Sequence, residues 1–242
     1  MSGSDPENTV SEGIRLNKYI SSSGICSRRE ADRLIESGKV TVNGVTADLG
    51  TRVFEGDVVE VDGKSVIPED NSVYIAFNKP LGITCTTDRR DPSNIIDYIN
   101  FKERIFPVGR LDKNSSGLIL LTNNGDIVNR LLRAENGHEK EYVVTLDRPY
   151  DSKFIKNMAS GVPVLGRMTL PTEVFPVNSK TFRIILRQGM NRQIRRMCEY
   201  LGYRVTKLKR IRFINVELGD LAVGKWRYLT AEEKKELLKG MK

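Results

Sequence analysis

The sequence predicts an α+β protein in which a small N-terminal module precedes a larger domain. A length of 242 residues is enough for two domains, each with its own core. Helical and strand patterns follow one another without strict alternation, which favours an α+β sheet domain over a doubly wound one. A short polar stretch separates two patterned regions. The predicted divisions are a disordered lead at 1–13, the module at 14–67, a linker at 68–73 and the larger domain at 74–242.

The N-terminal module is predicted to consist of two helices followed by strands. Leu16 and Ile20 stand four residues apart, on one face of the first helix. Ser27 as N-cap, with Glu30 three residues later, is typical of a helix start. Asn43-Gly44 is the strongest short signal for a β-hairpin turn. The predicted elements are helices at 15–22 and 27–38, a hairpin at 39–47 and a strand at 57–61.

The larger domain is predicted to mix strands and helices. Strands are expected where apolar and β-branched residues cluster, and helices where apolar residues recur at three and four positions. Thr230 followed by Glu233 indicates a capping box at the start of the last helix. The predicted strands are 74–77, 117–122, 141–146 and 182–186, and the helices are 93–98, 126–133, 151–160 and 191–201.

The composition argues against several classes of protein. Three cysteines lie far apart and His138 is the single histidine, so neither a disulfide framework nor an ordinary zinc site is expected. We therefore expect no metal. No apolar run approaches the roughly 20 residues that span a bilayer, and residues 1–13 do not resemble a signal peptide. The expectation is a cytoplasmic protein that does not bind membranes.

Positive charge is concentrated in two places. Residues 180–212 contain eleven Lys or Arg residues against the single acid Glu199, a local charge of +10 against +8 for the whole chain. In the module, residues 15–39 are basic, whereas residues 40–72 carry two basic residues against seven acids. Such blocks indicate either solvated faces or a polyanion site, and the density of the first favours a partner that carries phosphates.

The most informative stretch of the chain is residues 106–126. An apolar strand end leads into Gly109, Arg110 and Asp112, which a polar turn and a buried strand follow. Functional groups are often carried on loops that rigid strands support. On pattern alone, however, an Asp in such a place is more often a turn former or a solvated residue than a functional one.

Several ordered motifs in this chain resemble those of the bacterial pseudouridine synthases, in the form of the ribosomal-RNA branch named after RsuA. The catalytic motif is matched by Gly109-Arg110-Leu111-Asp112 with Ser116-Gly117-Leu118 and residues 121–126. Lys140-Glu141-Tyr142 resembles the second motif, residues 189–197 the third, and Lys79-Pro80-Leu81-Gly82 the entry to the domain. The N-terminal module resembles an S4-like RNA-binding domain. The resemblance spans the chain from Arg15 to about Leu229.

This resemblance implies a catalytic domain built on a mixed, largely antiparallel sheet with flanking helices. It also implies that a specific uridine of 23S ribosomal RNA is isomerised to pseudouridine, with a tRNA left open as a second substrate. The reaction breaks the bond from N1 to the ribose, turns the uracil and rejoins it through C5. Nothing is oxidised and no group is added, so we expect no cofactor. Asp112 is implied as the nucleophile, attacking either C1′ of the ribose or C6 of the base.

The resemblance assigns roles to further residues around Asp112. Arg195 would form an ion pair with Asp112, Tyr142 would stack on the uracil, and Ile194 would pack beneath it. Arg110 would fill the space of the flipped-out base. On pattern alone, Arg195 fits a solvated basic face, Tyr142 a core position and Arg110 a structural role. The expected RNA contacts are Arg15, Lys18, Arg28, Arg29, Arg33, Lys39, Arg192, Arg196, Lys207, Lys209 and Arg210.

Two other functions remain open at this point. A non-catalytic RNA-binding protein, such as a ribosome-assembly factor, would keep the fold, but intact Asp112, Tyr142 and Arg195 argue against it. An RNA methyltransferase with the same N-terminal domain would need a glycine-rich nucleotide turn, and the chain has no G-x-G-x-x-G. The expected partner is RNA, and the expected state is a monomer. Many members of this branch continue into a long basic tail, whereas this sequence stops at Lys242. Either such a tail was removed or this member lacks it, and added RNA affinity from a tail is left open.

Overall fold

The computed structural model describes residues 13–68, 72–132 and 137–239. The chain divides after residue 72 into two compact units. Residues 1–12 of the predicted lead, 69–71 of the predicted linker and 133 at the end of a predicted helix lie outside the described residues. The predicted α+β class is confirmed.

The first unit packs two short helices beside small antiparallel sheets. Ser27 Oγ accepts a hydrogen bond from the backbone N–H of Glu30 at 3.1 Å, as the predicted N-cap requires. Asn43 and Gly44 both have positive φ, which suits the two-residue hairpin turn. The sheets pair as β3-β2-β5-β6 and β1-β4. The elements are β1 Ile14–Arg15, α1 Leu16–Ser22, α2 Arg28–Glu36, β2 Val40–Val42, β3 Val45–Thr46, β4 Arg52–Val53, β5 Val59–Val61 and β6 Lys64–Ser65.

The second unit contains the large sheet and its helices. Thr230 and Glu233 form the predicted reciprocal capping box at the last helix. The elements are β7 Tyr74–Lys79, α3 Ile95–Ile99, β8 Phe106–Val108, β9 Ser116–Thr122, α4 Gly125–Leu132, β10 Lys140–Leu146, α5 Ser152–Ser160, β11 Pro163–Val164, β12 Arg167–Met168, β13 Glu173–Asn178, β14 Thr181–Leu186, α6 Gln193–Tyr200, β15 Val205–Phe213, β16 Val216–Glu217, β17 Trp226–Tyr228 and α7 Ala231–Leu237.

The large sheet is mixed and largely antiparallel, as the resemblance implies. Its order is β13-β14-β10-β15-β9-β7-β17, with β8 added to β9 and β16 to β15. Among the strand pairs of this sheet in the described ranges, only β15 and β9 run parallel. The parallel pair lies at the middle of the sheet.

The strand β9 is buried on both faces of the sheet. Leu118 and Leu120 belong to one apolar cluster, whereas Ile119 and Leu121 belong to the cluster on the other face. A strand covered on both sides needs apolar residues at every position, which explains the continuous run over 117–121. The site loop that precedes β9 therefore rests on one of the most rigid parts of the domain.

Three sequence predictions about the basic block need correction. Seven of its eleven basic residues lie on β14, α6 and β15, and the other four lie in the segments that connect the elements. Arg195 and Arg210 are buried, so the block is not one solvated face. Strand β15 was missed, because its exposed Lys207 and Lys209 resemble a solvated segment, although Leu208 between them and Phe213 at the end of the strand are buried. Helix α6 begins at Gln193 rather than 191, because Arg192 adopts a left-handed conformation with φ of 50°.

Candidate active site

Asp112 lies on the loop between β8 and β9. Its backbone carbonyl accepts a hydrogen bond from the Ser115 N–H at 2.9 Å, which closes a turn around the residue. The neighbouring Leu111 is buried, and its N–H donates to Cys85 Sγ at 3.4 Å. The Asp112 side chain itself is 31% exposed. The loop thus anchors its backbone in the core and presents a carboxylate to the surface.

Gly117 brings the end of this loop against the parallel strand β15. It pairs with Arg210 in the register of the two strands and has φ of 101°. A Cβ atom at this position would collide with the Arg210 backbone. Only glycine combines this φ with so close an approach of two backbones. The short distance between β9 and β15 fixes where the Asp112 loop ends.

A cavity of about 490 Å³ opens beside Asp112. It brings together side chains from the β8–β9 loop, β10, the start of α6 and β15, which are distant in sequence. Among the predicted site residues it is lined by Arg110, Asp112, Tyr142, Arg192, Ile194 and Arg210. Arg110 is exposed at the cavity. The cavity is therefore a carboxylate-bearing pocket with aromatic, aliphatic and cationic walls.

Arg195 does not form the predicted ion pair with Asp112. Among the described residues, no nitrogen of Arg195 comes within 4.0 Å of the carboxylate. Arg195 is 8% exposed, and its Nη2 donates to the Asn114 carbonyl at 2.6 Å and to Ser115 Oγ at 3.3 Å. Its Nη1 donates to the Val205 carbonyl at 3.2 Å. Burial lowers the pKa of Arg195, and the neighbouring Arg192 lowers it further, while Asp112 acts in the opposite direction.

Arg192 occupies the position that the sequence assigned to Arg195. Its Nη1 lies 4.0 Å from Asp112 Oδ2, at the edge of ion-pair distance. The residue is the N-cap of α6 and has the left-handed φ of 50°, which is uncommon for a long side chain. The sequence predicted Arg192 as an RNA contact only, because helix periodicity does not reveal a left-handed residue at the helix start.

Tyr142 and Ile194 lie on walls of the cavity where they were predicted. Tyr142 is half-buried on β10, opposite Ile184 on one side and Arg210 on the other, next to a register shift at Glu141. Its ring packs against two core clusters. Ile194 is buried in the first turn of α6. An aromatic ring and an aliphatic side chain in one pocket suit a planar ligand.

Arg210 does not fit its predicted role as a surface contact for RNA. Its side chain is 3% exposed and lines the cavity from β15. Its Nε donates to the Leu118 carbonyl at 2.6 Å, and its guanidinium lies 5.3 Å from the centre of the Phe213 ring. The sequence could not separate this residue from its exposed neighbours Lys207 and Lys209, because all three are basic residues in one run.

The other predicted RNA contacts are largely on surfaces. Arg33 pairs with Glu30 and Lys39 with Asp62, so both already have acidic neighbours. Lys18 and Arg196 are half-buried, and Arg196 donates to the carbonyl and side-chain oxygens of Asn191. The exposed members of the set are Arg15, Arg28, Arg29, Arg33, Lys39, Arg192, Lys207 and Lys209.

Sequence reasoning missed three polar side chains near Asp112. Lys79 is fully buried and donates to the Pro80 and Ile83 carbonyls; burial lowers its pKa. Lys140 lines the cavity, and burial together with Arg210 lowers its pKa. Gln188 also lines the cavity. Lys79 and Lys140 stand within the quoted motifs, so the motifs themselves were the available signal.

The described residues contain no group of three or more His, Cys, Asp or Glu side chains placed to hold a metal ion. Within the same part of the chain, no helix combines the length and the apolar character that crossing a bilayer requires.

A family model described as RNA pseudouridylate synthase matches residues 73–200, which include Asp112, Tyr142 and Ile194 of the cavity. The chain belongs to this family. A second model, described as S4 domain, matches residues 14–59 in the first unit. The two matches confirm the predicted pairing of an S4-like RNA-binding domain with a pseudouridine synthase domain.

Individual relatives in the pseudouridine synthase family agree with this assignment. The chain is 56% identical over 227 residues to the Dual-specificity RNA pseudouridine synthase RluF of Salmonella typhi, covering 93% of this chain and 78% of the relative. It is 35% identical to the Ribosomal large subunit pseudouridine synthase B of Bacillus subtilis, and the match covers 92% of this chain and 95% of the relative. A crystal structure of a pseudouridylate synthase matches with a TM-score of 0.67 and 27% sequence identity. The match covers 93% of this chain and 99% of the chain in that structure. The resemblance to the pseudouridine synthases is confirmed.

The protein is therefore an RNA pseudouridine synthase, an isomerase that acts on RNA. The reading as an RNA methyltransferase is set aside by this membership.

Proposed function

We propose that the protein isomerises a specific uridine of 23S ribosomal RNA, with Asp112 as the nucleophile, and accepts a uridine of a tRNA as a second substrate. The observation that carries this proposal is the convergence of Asp112, Tyr142 and Ile194 on one cavity from three separate elements. The proposal includes a monomer that works in the cytoplasm without a metal or cofactor.

The names of two relatives support the choice of RNA. One is a large-subunit enzyme and the other a dual-specificity enzyme. The exposed basic residues supply contacts for phosphates in both units, and phosphate contacts position a protein without reading sequence. Selection of one uridine then depends on the RNA structure around it and on the fit of the flipped base in the cavity.

The proposed reaction begins when the target uridine leaves its stack and enters the cavity. Arg110, exposed at the cavity, takes the space that the base vacates. The Asp112 carboxylate attacks either C1′ of the ribose or C6 of the uracil, and the bond between N1 and C1′ breaks. Tyr142 and Ile194 hold the free base while it turns. A bond from C5 to C1′ then forms, C5 loses its proton, N1 takes up a proton from water and Asp112 is released.

The experiment is a map of pseudouridines in ribosomal and transfer RNA from cells with and without this gene. Deletion should remove one pseudouridine from 23S RNA and one from a tRNA. The wild-type gene should restore both, and so should the matched surface variant Asp220→Asn. Asp112→Asn should restore neither.

Three results would contradict parts of this proposal. A map that is unchanged by deletion would favour a non-catalytic RNA-binding protein. Restoration by Asp112→Asn would remove Asp112 as the nucleophile. Loss from 23S RNA alone would remove the tRNA substrate.

A further inference from the structure

Arg210 stands at a central position in the cavity. In the register of the sheet, Tyr142 lies opposite Arg210 on β10, and Gly117 lies opposite it on β9. Side chains of directly paired residues project from the same face of a sheet. The guanidinium of Arg210 and the ring of Tyr142 therefore serve the same pocket.

The guanidinium of Arg210 is buried with part of its hydrogen-bonding capacity unused. Its Nε is satisfied by the Leu118 carbonyl, but its Nη2 is buried without a hydrogen-bond partner. In the described part of the chain, no carboxylate lies within 4.0 Å of its nitrogens. Leaving a buried, charged donor unmet costs considerable free energy. A packing role alone does not explain why this side chain is an arginine.

Two further side chains that line the cavity carry hydrogen-bond donors. The Nε2 of Gln188 is also buried without a partner, and Gln188 lines the same cavity. Lys140 donates to the His138 carbonyl at 3.3 Å, and among the described residues it has no carboxylate within 4.0 Å. Arg210 acts electrostatically on Lys140, so the two cations are neighbours. The ligand that completes this pocket must supply acceptor oxygens.

We propose that Arg210, assisted by Gln188, binds a carbonyl oxygen of the target uracil and stabilises the negative charge that the base acquires during the reaction. The inference rests on the proposed function, because it takes the flipped uridine as the occupant of the cavity. Uracil offers two carbonyl acceptors and is flanked by the Tyr142 ring in this arrangement.

In this proposal Arg210 interacts more strongly with the uracil in the transition state than in the ground state. If Asp112 attacks C1′, the electrons of the N1–C1′ bond stay on the uracil and spread to its carbonyl oxygens. If Asp112 adds to C6, electrons of the C5–C6 double bond move toward the oxygen on C4. In both routes a carbonyl oxygen becomes more negative, and a fixed cation there accelerates the step.

The test is a cycle that pairs protein variants with RNA carrying 2-thiouridine or 4-thiouridine at the target position, since sulfur is the weaker acceptor. Single-turnover rates are measured for wild type, Arg210→Met, Arg210→Lys, Gln188→Leu and the exposed control Arg90→Met. Arg210→Met should slow the reaction by about 100-fold, with a much smaller change in RNA affinity. Arg210→Lys should recover part of the rate, and Arg90→Met should match wild type.

The cycle identifies the contact directly. One of the two sulfur substitutions should slow wild type yet add little to the defect of Arg210→Met, because the same contact is already lost. If the buried Arg210→Met variant does not fold, Arg210→Lys and Gln188→Leu support the same comparison. Full additivity with both thio-RNAs would overturn the proposal, as would wild-type rates for folded Arg210 variants. The Asp112→Asn variant is assayed in parallel. Turnover by Asp112→Asn would contradict the proposed function, whereas the outcomes above contradict only the role of Arg210.

Discussion

Arg192 Nη1 lies 4.0 Å from Asp112 Oδ2, whereas Arg195 directs its guanidinium to the backbone and hydroxyl of the loop that follows Asp112. We therefore expect the two arginines to divide the role that the resemblance assigned to Arg195 alone. Arg192 supplies a positive charge beside the carboxylate from the rim of the cavity. Arg195 ties α6 to residues 114–115 and to β15, and so holds the Asp112 loop in place.

Substitution of these arginines should separate their roles. Arg195→Met removes three hydrogen bonds from a buried charged group, so it should lower the single-turnover rate by about 100-fold and also reduce stability by about 2 kcal/mol. Arg192→Met should cost about 10-fold in rate without loss of stability, because its side chain is partly exposed. Arg196→Met should mainly weaken RNA binding.

The single-turnover rate, the RNA affinity and the thermal unfolding of all three variants check these expectations. Equal losses, with equal weakening of RNA binding, would reduce all three to phosphate contacts.

Substitutions of Tyr142 test separately what its aromatic ring and its hydroxyl contribute to the reaction. Tyr142→Phe keeps the aromatic ring that packs in the cavity, whereas Tyr142→Leu removes both the ring and the hydroxyl. If the hydroxyl assists removal of the C5 proton, Tyr142→Phe should still break the N1–C1′ bond but release the C5 proton at least about 100-fold more slowly. Tyr142→Leu should also lose affinity for the flipped base. A Tyr142→Phe enzyme with the wild-type rate would show that the ring acts only as a stacking platform.

The elements with strong local signals could be predicted from the sequence. The caps at Ser27 and Thr230 and the turn at Asn43 depend on neighbours within three residues, and the structure contains each of them. The class of the sheet also agrees with expectation. Asp112, Tyr142 and Ile194 line one cavity, and their roles in the reaction stay predictions.

The failures share a physical cause, which is that burial depends on partners distant in sequence. Arg210 is enclosed because β15 lies between β9 and β10, and nothing in its local sequence distinguishes it from Lys209. Two of the three acceptors of Arg195 lie 80 and 81 positions earlier in the chain. The left-handed backbone of Arg192 likewise depends on tertiary context, because most side chains disfavour it.

Gly117→Ala should test the close approach of β9 and β15. The added methyl group meets the Arg210 backbone and has to adopt a φ of 101°, so the strands must separate. We expect a loss of about 3 kcal/mol in the free energy of unfolding, with reduced activity in whatever remains folded. Chemical denaturation measures the first effect. Gly137→Ala is the control, because it also has positive φ but open space around its Cβ. Equal stabilities of the two variants would contradict the role assigned to Gly117.

The N-terminal unit should contribute affinity rather than chemistry. Deleting residues 1–67 removes Arg15, Lys18, Arg28, Arg29, Arg33 and Lys39, so RNA binding should weaken and depend less steeply on salt. The remaining unit has its own core and should stay folded, with a near-normal single-turnover rate on saturating RNA. Affinity against salt concentration, measured for both proteins, gives the two slopes. An unchanged slope would remove the unit from RNA binding, and a lost rate in a folded fragment would make it part of the active site.

The central claim is that the Asp112 carboxylate performs the chemistry, and Asp112→Asn tests it most directly. The amide keeps the shape of the side chain but cannot act as an anionic nucleophile. Release of tritium from target RNA labelled at C5 of uridine reports completion of the isomerisation. We predict no release above background by Asp112→Asn, with RNA affinity and thermal unfolding close to those of wild type. Tritium release by Asp112→Asn at the wild-type rate would contradict the account.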